Sequence, residues 1–298
     1  MSRPRLAILA LTVLAACTGT PERTAAQQPL TPAVARRTGW LGNWLKETSG
    51  LAISRAHSGV LWSHNDSGGD AVLFATDTTG ADRGRFTVMG VENRDWEDLA
   101  LGPCPQGTCL YIAETGDNPE NDRSAAIYRI PEPDPSRPGL ARGVERLVFR
   151  YPDRPRDVEA VFLAPDSSVH LISKGVRSEI AHYRLPASAW LAEGTAVAER
   201  LPMPSLGAGA RRLVTGAAMG ADGATVMLLT YRDLWRLSLA RDGSLVPQGP
   251  LVPCDLSRLL PQTEAVAWFG EDGTVLLSSE AGRGQRAQLM MVRCLWPR

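Results

Sequence analysis

Short apolar runs separated by turns dominate the chain, and a fivefold recurrence orders them. Each recurrence opens with a hydroxyl or acidic residue and a small residue, continues into an apolar run and, after a turn, gives a second apolar run. A period near 50 residues with this content is typical of four-stranded propeller blades. The openings are 49–52, 97–100, 159–162, 215–218 and 264–267, and their starts are 48, 62, 56 and 49 residues apart.

The second runs strengthen this interpretation because they are short, apolar and often β-branched, which is typical of strands buried between neighbours. They lie at 60–63, 110–113, 169–172, 226–229 and 275–278. Asp222-Gly223 and Asp272-Gly273 are hairpin turn signals. The pattern predicts an all-β protein, a single β-propeller with five four-stranded antiparallel blades.

Two features concern how the ring closes. The strand-like segment 39–45 (GWLGNWL) precedes the first unit, and we expect it to complete the last blade and so remove the exposed edges. The stretch 131–155 is long enough to hide an irregular unit, so six blades stay open as an alternative.

Composition and charge narrow the partners. Lys+Arg and Asp+Glu both number 32, so the chain lacks the basic surplus that polyphosphate binding needs, and we expect no nucleic-acid partner. Hydrophobic residues make up 44% and charged residues 21%, which is enough for a buried core.

The first residues have the order of an export signal. Arg3 and Arg5 precede an apolar run at 6–14 that is too short to cross a bilayer, and small residues lead into Cys17. The segment LAAC resembles the lipobox of bacterial lipoproteins, which implies cleavage before Cys17 and a lipid on that cysteine. Thr18, where an Asp would resemble the inner-membrane retention signal, favours the outer membrane. A plain secretory signal with an incidental Cys stays open.

These observations divide the chain into a signal peptide at 1–16, a lipid-anchored flexible tether at 17–38 and a propeller domain at 39–298. The tether is predicted from its lack of periodicity and its Thr, Ala, Pro and Gln content. We expect a monomer in the bacterial cell envelope, held to the membrane through Cys17.

The remaining four cysteines are an even number in an exported chain, which favours disulfides. Cys104 and Cys109 bracket a turn, so a bridge across a hairpin is predicted, and Cys254 would then pair with Cys294 by elimination. Four free thiols are the alternative.

Equivalent positions on the first strands of propeller blades line the central channel. The ring predicted here contains three carboxylates and two hydroxyls, and like charges across a narrow channel require a proton or a metal between them. Calcium suits such an oxygen-only set. The metal candidates are the ring residues Ser49, Glu97, Glu159, Thr215 and Glu264, with Asn65 and Glu114 from second strands. The alternative is a polar channel filled with water.

The second strands run back to the end of the channel where the first strands begin, so their last residues and the loops after them should form one polar mouth. Polar groups occur at the end of all five second strands. The ligand-binding candidates at this mouth are His64, Asp66, Asp117, Asn118, Lys174, Arg177, Tyr231 and Glu280.

Three segments carry a family resemblance. HNDSGG, DWEDLA and YIAETGDN, together with the five openings, resemble the SdiA-regulated family of exported bacterial β-propellers over roughly residues 45–295. The chain is similar, more remotely, to the calcium-containing propellers of the strictosidine synthase, paraoxonase and gluconolactonase group. The resemblance implies a propeller and, through the remoter group, calcium.

Two functions follow. No complete catalytic constellation occurs in the sequence, which favours a lipid-anchored envelope propeller that binds a small molecule or an envelope protein at a calcium-containing mouth. The excess of carboxylates at that mouth favours instead a metal-dependent hydrolase of lactones or phosphoesters. The catalytic candidates of this second hypothesis are Asp66, Glu97, Glu114 and Lys174.

Overall fold

Five sheets stand around one axis, in a computed structural model that describes residues 30–122, 124–207, 212–260, 262–281 and 285–297. The predicted signal peptide and Cys17 lie outside these residues. The strands are β1 (Ala33–Trp40), β2 (Thr48–Ile53), β3 (Leu61–Asn65), β4 (Val72–Thr76), β5 (Asp82–Val88), β6 (Trp96–Cys104), β7 (Gly107–Glu114), β8 (Ala125–Pro131), β9 (Gly139–Ala141), β10 (Glu145–Arg150), β11 (Val158–Leu163), β12 (Val169–Ser173), β13 (His182–Leu185), β14 (Ala196–Val197), β15 (Glu199–Leu201), β16 (Val214–Met219), β17 (Thr225–Thr230), β18 (Asp233–Leu239), β19 (Leu245–Pro247), β20 (Cys254–Asp255), β21 (Thr263–Trp268), β22 (Val275–Ser279) and β23 (Gln288–Cys294). One short 3₁₀ helix spans Ala187–Leu191.

The sheets are the five blades of a β-propeller, as the repeat predicts. Their innermost strands β2, β6, β11, β16 and β21 each pack against the innermost strands of two neighbouring blades, which closes a ring. These strands begin at one end of the channel, here called the acidic mouth, and end at the other, here called the far face. Blade one is β2-β3-β4-β5, blade two β6-β7-β8-β10, blade three β11-β12-β13-β15, blade four β16-β17-β18-β19 and blade five β21-β22-β23-β1.

The N-terminal strand closes the ring, but it begins earlier than predicted. Strand β1 pairs antiparallel with β23 in the last blade, with Ala33 opposite Cys294 and Trp40 opposite Gln288. The closing segment is therefore 33–40 rather than 39–45. Residues 33–38, predicted to belong to the tether, are part of the folded blade because they pair with β23 as its outermost strand.

The stretch 131–155 contains no sixth blade. Its strand β10 is the fourth strand of blade two, and β9 lies parallel to β5 at the outer edge of blade one. Strand β14 covers the edge of blade two in the same way. These short parallel strands leave fewer open edges for pairing with another chain.

Both predicted disulfides are confirmed. Cys104 and Cys109 join across the β6–β7 hairpin. Cys254 in β20 and Cys294 in β23 connect blade four to blade five at a sequence separation of 40 residues. The second bridge lies beside β1, because Thr31 pairs with Cys254. It therefore links blade four to blade five next to the strand that closes the ring.

The third residue of each inner strand lies on one level of the channel, here called the narrow level. Four residues on this level have small side chains, and the fifth, Asp98, accepts hydrogen bonds from other blades. The five residues are Gly50, Asp98, Ala160, Gly216 and Ala265. A Cβ on Gly50 would lie 2.4 Å from the backbone nitrogen of Leu99, so the two strands approach within a distance that only glycine permits.

Asp98 is the single acid at this level, and it connects three blades. Its carboxylate accepts N–H groups from Leu99 at 2.8 Å, from Val161 of blade three at 2.8 Å and from Ala217 of blade four at 3.3 Å. The side chain is buried, and desolvation raises its pKa well above the usual value in spite of these donors.

A buried polar chain lies in blade three. The Asp166 carboxylate accepts from Ser168 Oγ at 2.6 Å, and Ser168 Oγ contacts His170 Nε2 at 3.1 Å. His170 Nδ1 is 2.8 Å from His182 Nε2, and both rings stack near Phe162. Burial lowers the pKa of His170 to about 3 and that of His182 to about 4, so both rings are neutral near pH 7.

The tight approach at Gly50 generates a stability prediction. Gly50→Ala should destabilise the protein by about 1–3 kcal/mol, because the added methyl group meets backbone of blade two and must push the inner strands apart. Gly69→Ala is the matched control, since a Cβ there would meet nothing within 4 Å. Urea unfolding monitored by tryptophan fluorescence measures both, and equal midpoints for the two variants would contradict the close contact.

The histidine chain generates a pH prediction. The folded pKa values lie below the ordinary value of about 6.5, so the unfolded chain binds more protons and stability falls as the pH drops. Each histidine should remove up to about 1.4 kcal/mol per pH unit between about pH 6.5 and pH 4. The charges of His182 and Arg184 lower the pKa of His170 further, and the charge of Asp166 raises it.

Urea midpoints at pH 7.5 and pH 5.0 provide the measurement. The double variant His170→Gln/His182→Gln should lose less stability between these pH values than the unaltered protein, whatever its stability at pH 7.5. His57→Gln, in the loop after β2, should retain the full loss. An unchanged loss in the double variant would refute the assignment.

Candidate functional site

A β-bulge places each ring residue. The pairing of the inner strand with its neighbour skips a residue near the start of every blade, between Trp96 and Asp98 in blade two and between Val158 and Ala160 in blade three. The skipped residue bends the strand and is often found beside functional sites. Four skipped residues are Glu97, Glu159, Thr215 and Glu264, and in blade one the skip includes Ser49 and Gly50.

Two overlapping groups of carboxylates meet at the acidic mouth. Ligand oxygens of Asp66, Asp95 and Glu97 lie within 4.8 Å of one another, and so do those of Glu97, Asp157 and Glu159. These five residues, here called the axial cluster, come from blades one, two and three. Asp66 follows β3, Asp95 and Asp157 precede β6 and β11, and the two glutamates occupy bulges.

Desolvation and mutual repulsion raise the pKa values of these acids. Burial, followed by the charges of Glu159 and Asp66, raises the pKa of Glu97 well above its usual value. Burial raises the pKa of Glu159 to about 7 and that of Asp95, with the charge of Asp66 beside it, to about 6. The cluster therefore favours a proton or another cation among its oxygens.

Lys174 supplies one internal cation. Its Nζ pairs with Glu159 Oε1, and both side chains are largely buried. Glu159 and its neighbours raise the pKa of Lys174, so the ammonium stays charged. Five carboxylates against one ammonium leave a formal charge of −4 when all are ionised.

The cluster offers an unpartnered carboxylate oxygen to a metal. Asp157 is buried, and its Oδ1 accepts from Asp117 N at 2.9 Å, but its Oδ2 has no hydrogen-bond partner among the described residues. A Cβ on Gly116 would lie 2.1 Å from Glu97 Oε1 and 2.4 Å from Asp95 Oδ2, so glycine there leaves space for both carboxylates. An all-oxygen donor set suits a hard cation, and these residues could hold one.

Several predicted metal ligands are instead bonded to backbone. Ser49 Oγ donates to Glu97 O, and Thr215 Oγ1 donates to Thr263 O at 2.8 Å, so both hydroxyls join neighbouring blades. Asn65 accepts from Glu47 N at 3.2 Å and donates to Trp44 O at 2.7 Å. The structure does not bring these three side chains into the axial cluster.

Glu114, a predicted ligand and catalytic candidate, also lies outside the cluster. Its carboxylate accepts from Asp95 N at 2.9 Å and Arg94 N at 3.3 Å, and it pairs with the Arg94 guanidinium at 3.3 Å. Strand alternation directs it to the turn that precedes β6. Its visible role is to hold the backbone of Asp95.

The third ring glutamate forms a separate pair. Glu264 accepts from Gln262 Nε2 at 2.6 Å, and the same amide donates to Glu280 at 2.8 Å. Burial raises the pKa of both carboxyls. Burial and the charge of Glu264 raise the pKa of Tyr231, and the charge of Lys174 lowers it.

The remaining ligand-binding candidates divide between rim and core. Arg177 donates through Nε to Asn118 O at 2.8 Å, which joins the loops of blades two and three, and Asp117 accepts from Asp122 N at 2.7 Å. His64 is different, because it is buried with its ring edge against Trp96 and burial lowers its pKa to about 4. It does not line the mouth.

The sequence analysis missed Asp95 and Asp157. Each stands two residues before a ring glutamate, in Asp95-Trp96-Glu97 and Asp157-Val158-Glu159. Glu47 and Gln262 occupy the same position before Ser49 and Glu264. A repeated acid or amide at this spacing was the signal that could have revealed the second layer of the cluster.

Comparison with known proteins extends only to the fold. No protein-family model matches the chain, and no curated protein matches it in sequence. Among solved structures, the chain is similar to a gluconolactonase from Xanthomonas campestris with 16% identity over 90% of this chain and 99% of that one, at a TM-score of 0.48. A putative gluconolactonase gives 15% identity over 90% and 96% at 0.46, and a streptogramin B lyase gives 13% over 88% and 98% at 0.45.

One further finding concerns membranes. Within the residues that the structure describes, no helix has the length and apolar character needed to cross a bilayer.

Proposed function

We propose that the protein is an exported propeller that binds calcium in the axial cluster and uses the acidic mouth to bind a ligand. The observation that carries this proposal is Asp157 Oδ2, a buried carboxylate oxygen without a partner among the described residues, in a group with Glu97 and Glu159. Leaving such an atom buried and unpaired costs free energy that a bound cation would recover.

Calcium fits the donor set better than the other common cations. The cluster offers only oxygen, which disfavours zinc and copper, and its five carboxylates come from three blades. Calcium accepts six to eight oxygens in flexible geometry, whereas magnesium needs near-ideal octahedral positions. Glu97, Asp157 and Glu159 would be the inner ligands, with Asp66 and Asp95 on the side toward solvent.

A ligand with oxygen donors fits the mouth. Asp66 and Asp95 are only half-buried, so this side of the cluster remains open to solvent. A calcium ion leaves coordination positions that protein carboxylates do not all fill. Lys174 beside the cluster and Arg177 on the rim would attract an anionic or hydroxyl-rich molecule.

The proposal includes attachment to the envelope through Cys17. Strand β1 pairs with β23 at the outer edge of blade five, and Thr31 just before it pairs with Cys254 beside the start of β18. A chain that leads from a membrane to Thr31 would therefore meet the propeller at its outer edge, between blades four and five.

A metal-dependent hydrolase is the second candidate, and the half-buried Asp95 favours it. Burial and Asp66 raise the pKa of Asp95 to about 6, near the value that suits a general base at neutral pH. A bound cation would polarise a carbonyl or phosphoryl oxygen of a lactone or phosphoester. Asp95 or Asp66 would accept the proton of water, and Lys174 would orient the anionic part of the substrate.

Calcium binding is tested by thermal unfolding of the full chain in detergent. Calcium at about 100 times its Kd should stabilise the protein by about 2.7 kcal/mol, a shift of several degrees in Tm relative to EDTA. Glu97→Gln and Glu159→Gln should lower Tm in calcium and erase the shift. In EDTA, Glu97→Gln should be no less stable than the unaltered protein, because it removes a group that its acidic neighbours repel. Glu159→Gln should be less stable in EDTA, because it also breaks the buried ion pair with Lys174.

Glu271→Gln is the matched control, because Glu271 is exposed in the β21–β22 turn on the far face and should leave the calcium shift intact. If Glu97→Gln and Glu159→Gln both keep the full shift, the calcium assignment is wrong.

Turnover separates the two candidate functions. For a hydrolase, we expect hydrolysis of generic lactones, esters or phosphoesters that EDTA abolishes and calcium restores. Asp95→Asn should then lower kcat by about 10²–10⁴-fold through loss of the base. A calcium-dependent Tm shift without turnover on any of these substrates would favour the binding module.

A further inference from the structure

The far face of the channel holds a second site, separate from the axial cluster. A cavity of about 560 Å³ opens there, and the end halves of all five inner strands line it. Its volume lies in the range of pockets that take small ligands, roughly 300–1,000 Å³. The deep lining consists of the residues that follow the narrow level of the channel, namely Leu51, Leu99, Val161, Ala217 and Ala267.

The narrow level separates this cavity from the acidic mouth. Asp98 lies there with its carboxylate bonded to Val161 N and Ala217 N, and Gly50 is pressed against Leu99. Molecules in the cavity and cations in the axial cluster therefore occupy distinct compartments of one channel.

Most residues that line the cavity have apolar side chains, and polar atoms are exposed beside them. Leu101, Leu163 and Met219 continue the apolar lining toward solvent, and Phe269 stands at the rim with 43% of its surface exposed. Trp268 also lines the cavity, and its Nε1 is buried without a hydrogen-bond partner among the described residues. An apolar molecule would cover exposed aromatic surface here.

Two charged residues, Asp222 and Arg55, line the cavity, and only Arg55 has a side chain that is not already held by hydrogen bonds to described residues. Asp222 is committed to its own turn, where it accepts from Thr225 N at 2.8 Å and Thr225 Oγ1 at 2.7 Å. Arg55, in the loop after β2, is exposed and makes no hydrogen bond or ion pair with any residue that the structure describes. Among the residues that line the cavity, the Arg55 guanidinium is therefore the cation that a ligand can bind, while the Asp222 carboxylate is held in its turn.

We propose that this cavity binds a small amphipathic anion, with its hydrocarbon part against the inner strands and its anionic group at Arg55. An unpaired guanidinium suits a carboxylate, which it can bind through two parallel N–H bonds. The hydrophobic contacts of the walls supply affinity, and the charge at the rim selects anionic over neutral molecules of the same length.

Titration with decanoate and decanol tests this proposal. The full chain is kept in a nonionic detergent and loaded with a fluorescent fatty acid, which the two compounds compete to displace. The detergent concentration is chosen so that the fluorescent fatty acid still binds. Decanoate should displace the fluorescent fatty acid from one site per protein, and decanol should compete at least tenfold more weakly. Arg55→Glu should weaken decanoate binding at least tenfold and leave decanol unchanged. Leu101→Trp should weaken both, because the larger ring occupies part of the half-buried wall.

Arg142→Glu is the matched control, since Arg142 is exposed, makes the same charge change and does not line the cavity. EDTA and Glu97→Gln should leave decanoate binding unchanged, so failure here is distinguishable from failure of the calcium proposal. Equal binding of decanol and decanoate, or an Arg55→Glu effect no larger than that of Arg142→Glu, would overturn the proposal. Binding to anionic lipid vesicles that Arg55→Glu abolishes, without decanoate binding, would show a membrane contact instead and would also overturn it.

Discussion

Repulsion among buried carboxylates is the constraint on which the acidic mouth depends. Glu97, Asp157 and Glu159 would not stay together in a low-dielectric channel without cations, protons or hydrogen-bond donors close by. The fold supplies some of these partners itself. Lys174 pairs with Glu159, Asp117 N donates to Asp157, and the hydroxyls that join neighbouring blades hold the strands while the acids repel. The negative charge that remains favours a cation among the carboxylates of the mouth.

The sequence predicted the ring but not all of its chemistry. The openings placed Glu97 and Glu159 near the axis because equivalent positions in a rotational repeat must meet there, and the acids do meet. Glu264 remained with Glu280 and Gln262, since a repeat predicts the level of a residue along the axis but not which neighbour its side chain reaches. Asp95 and Asp157 were missed because they precede the strands, where apolar periodicity carries no signal.

The errors at Glu114 and His64 have a common physical origin. Both stand near the end of a second strand, and successive strand residues point to opposite sides. A one-residue bulge in the partner strand changes which of them faces the mouth, and no residue pattern in a single sequence marks that bulge. The start of the closing strand was displaced for a related reason, because the segment 33–38 lacks the apolar alternation of a central strand and pairs along one edge only.

The same inner strands serve two opposite chemical environments, and the narrow level explains how. Along each inner strand the second residue is a hydroxyl or acidic residue and the later residues are mostly apolar, so a single rotational repeat builds an acidic mouth at one end and a cavity with mostly apolar side chains at the other. Asp98 separates them by using its buried carboxylate to bind three blades rather than to face either compartment. Because burial raises the pKa of this carboxyl well above its usual value, the neutral form is favoured, and Asp98 can remain inside without adding to the negative charge of the mouth. The two compartments can therefore be occupied independently, although the strands that form them are shared.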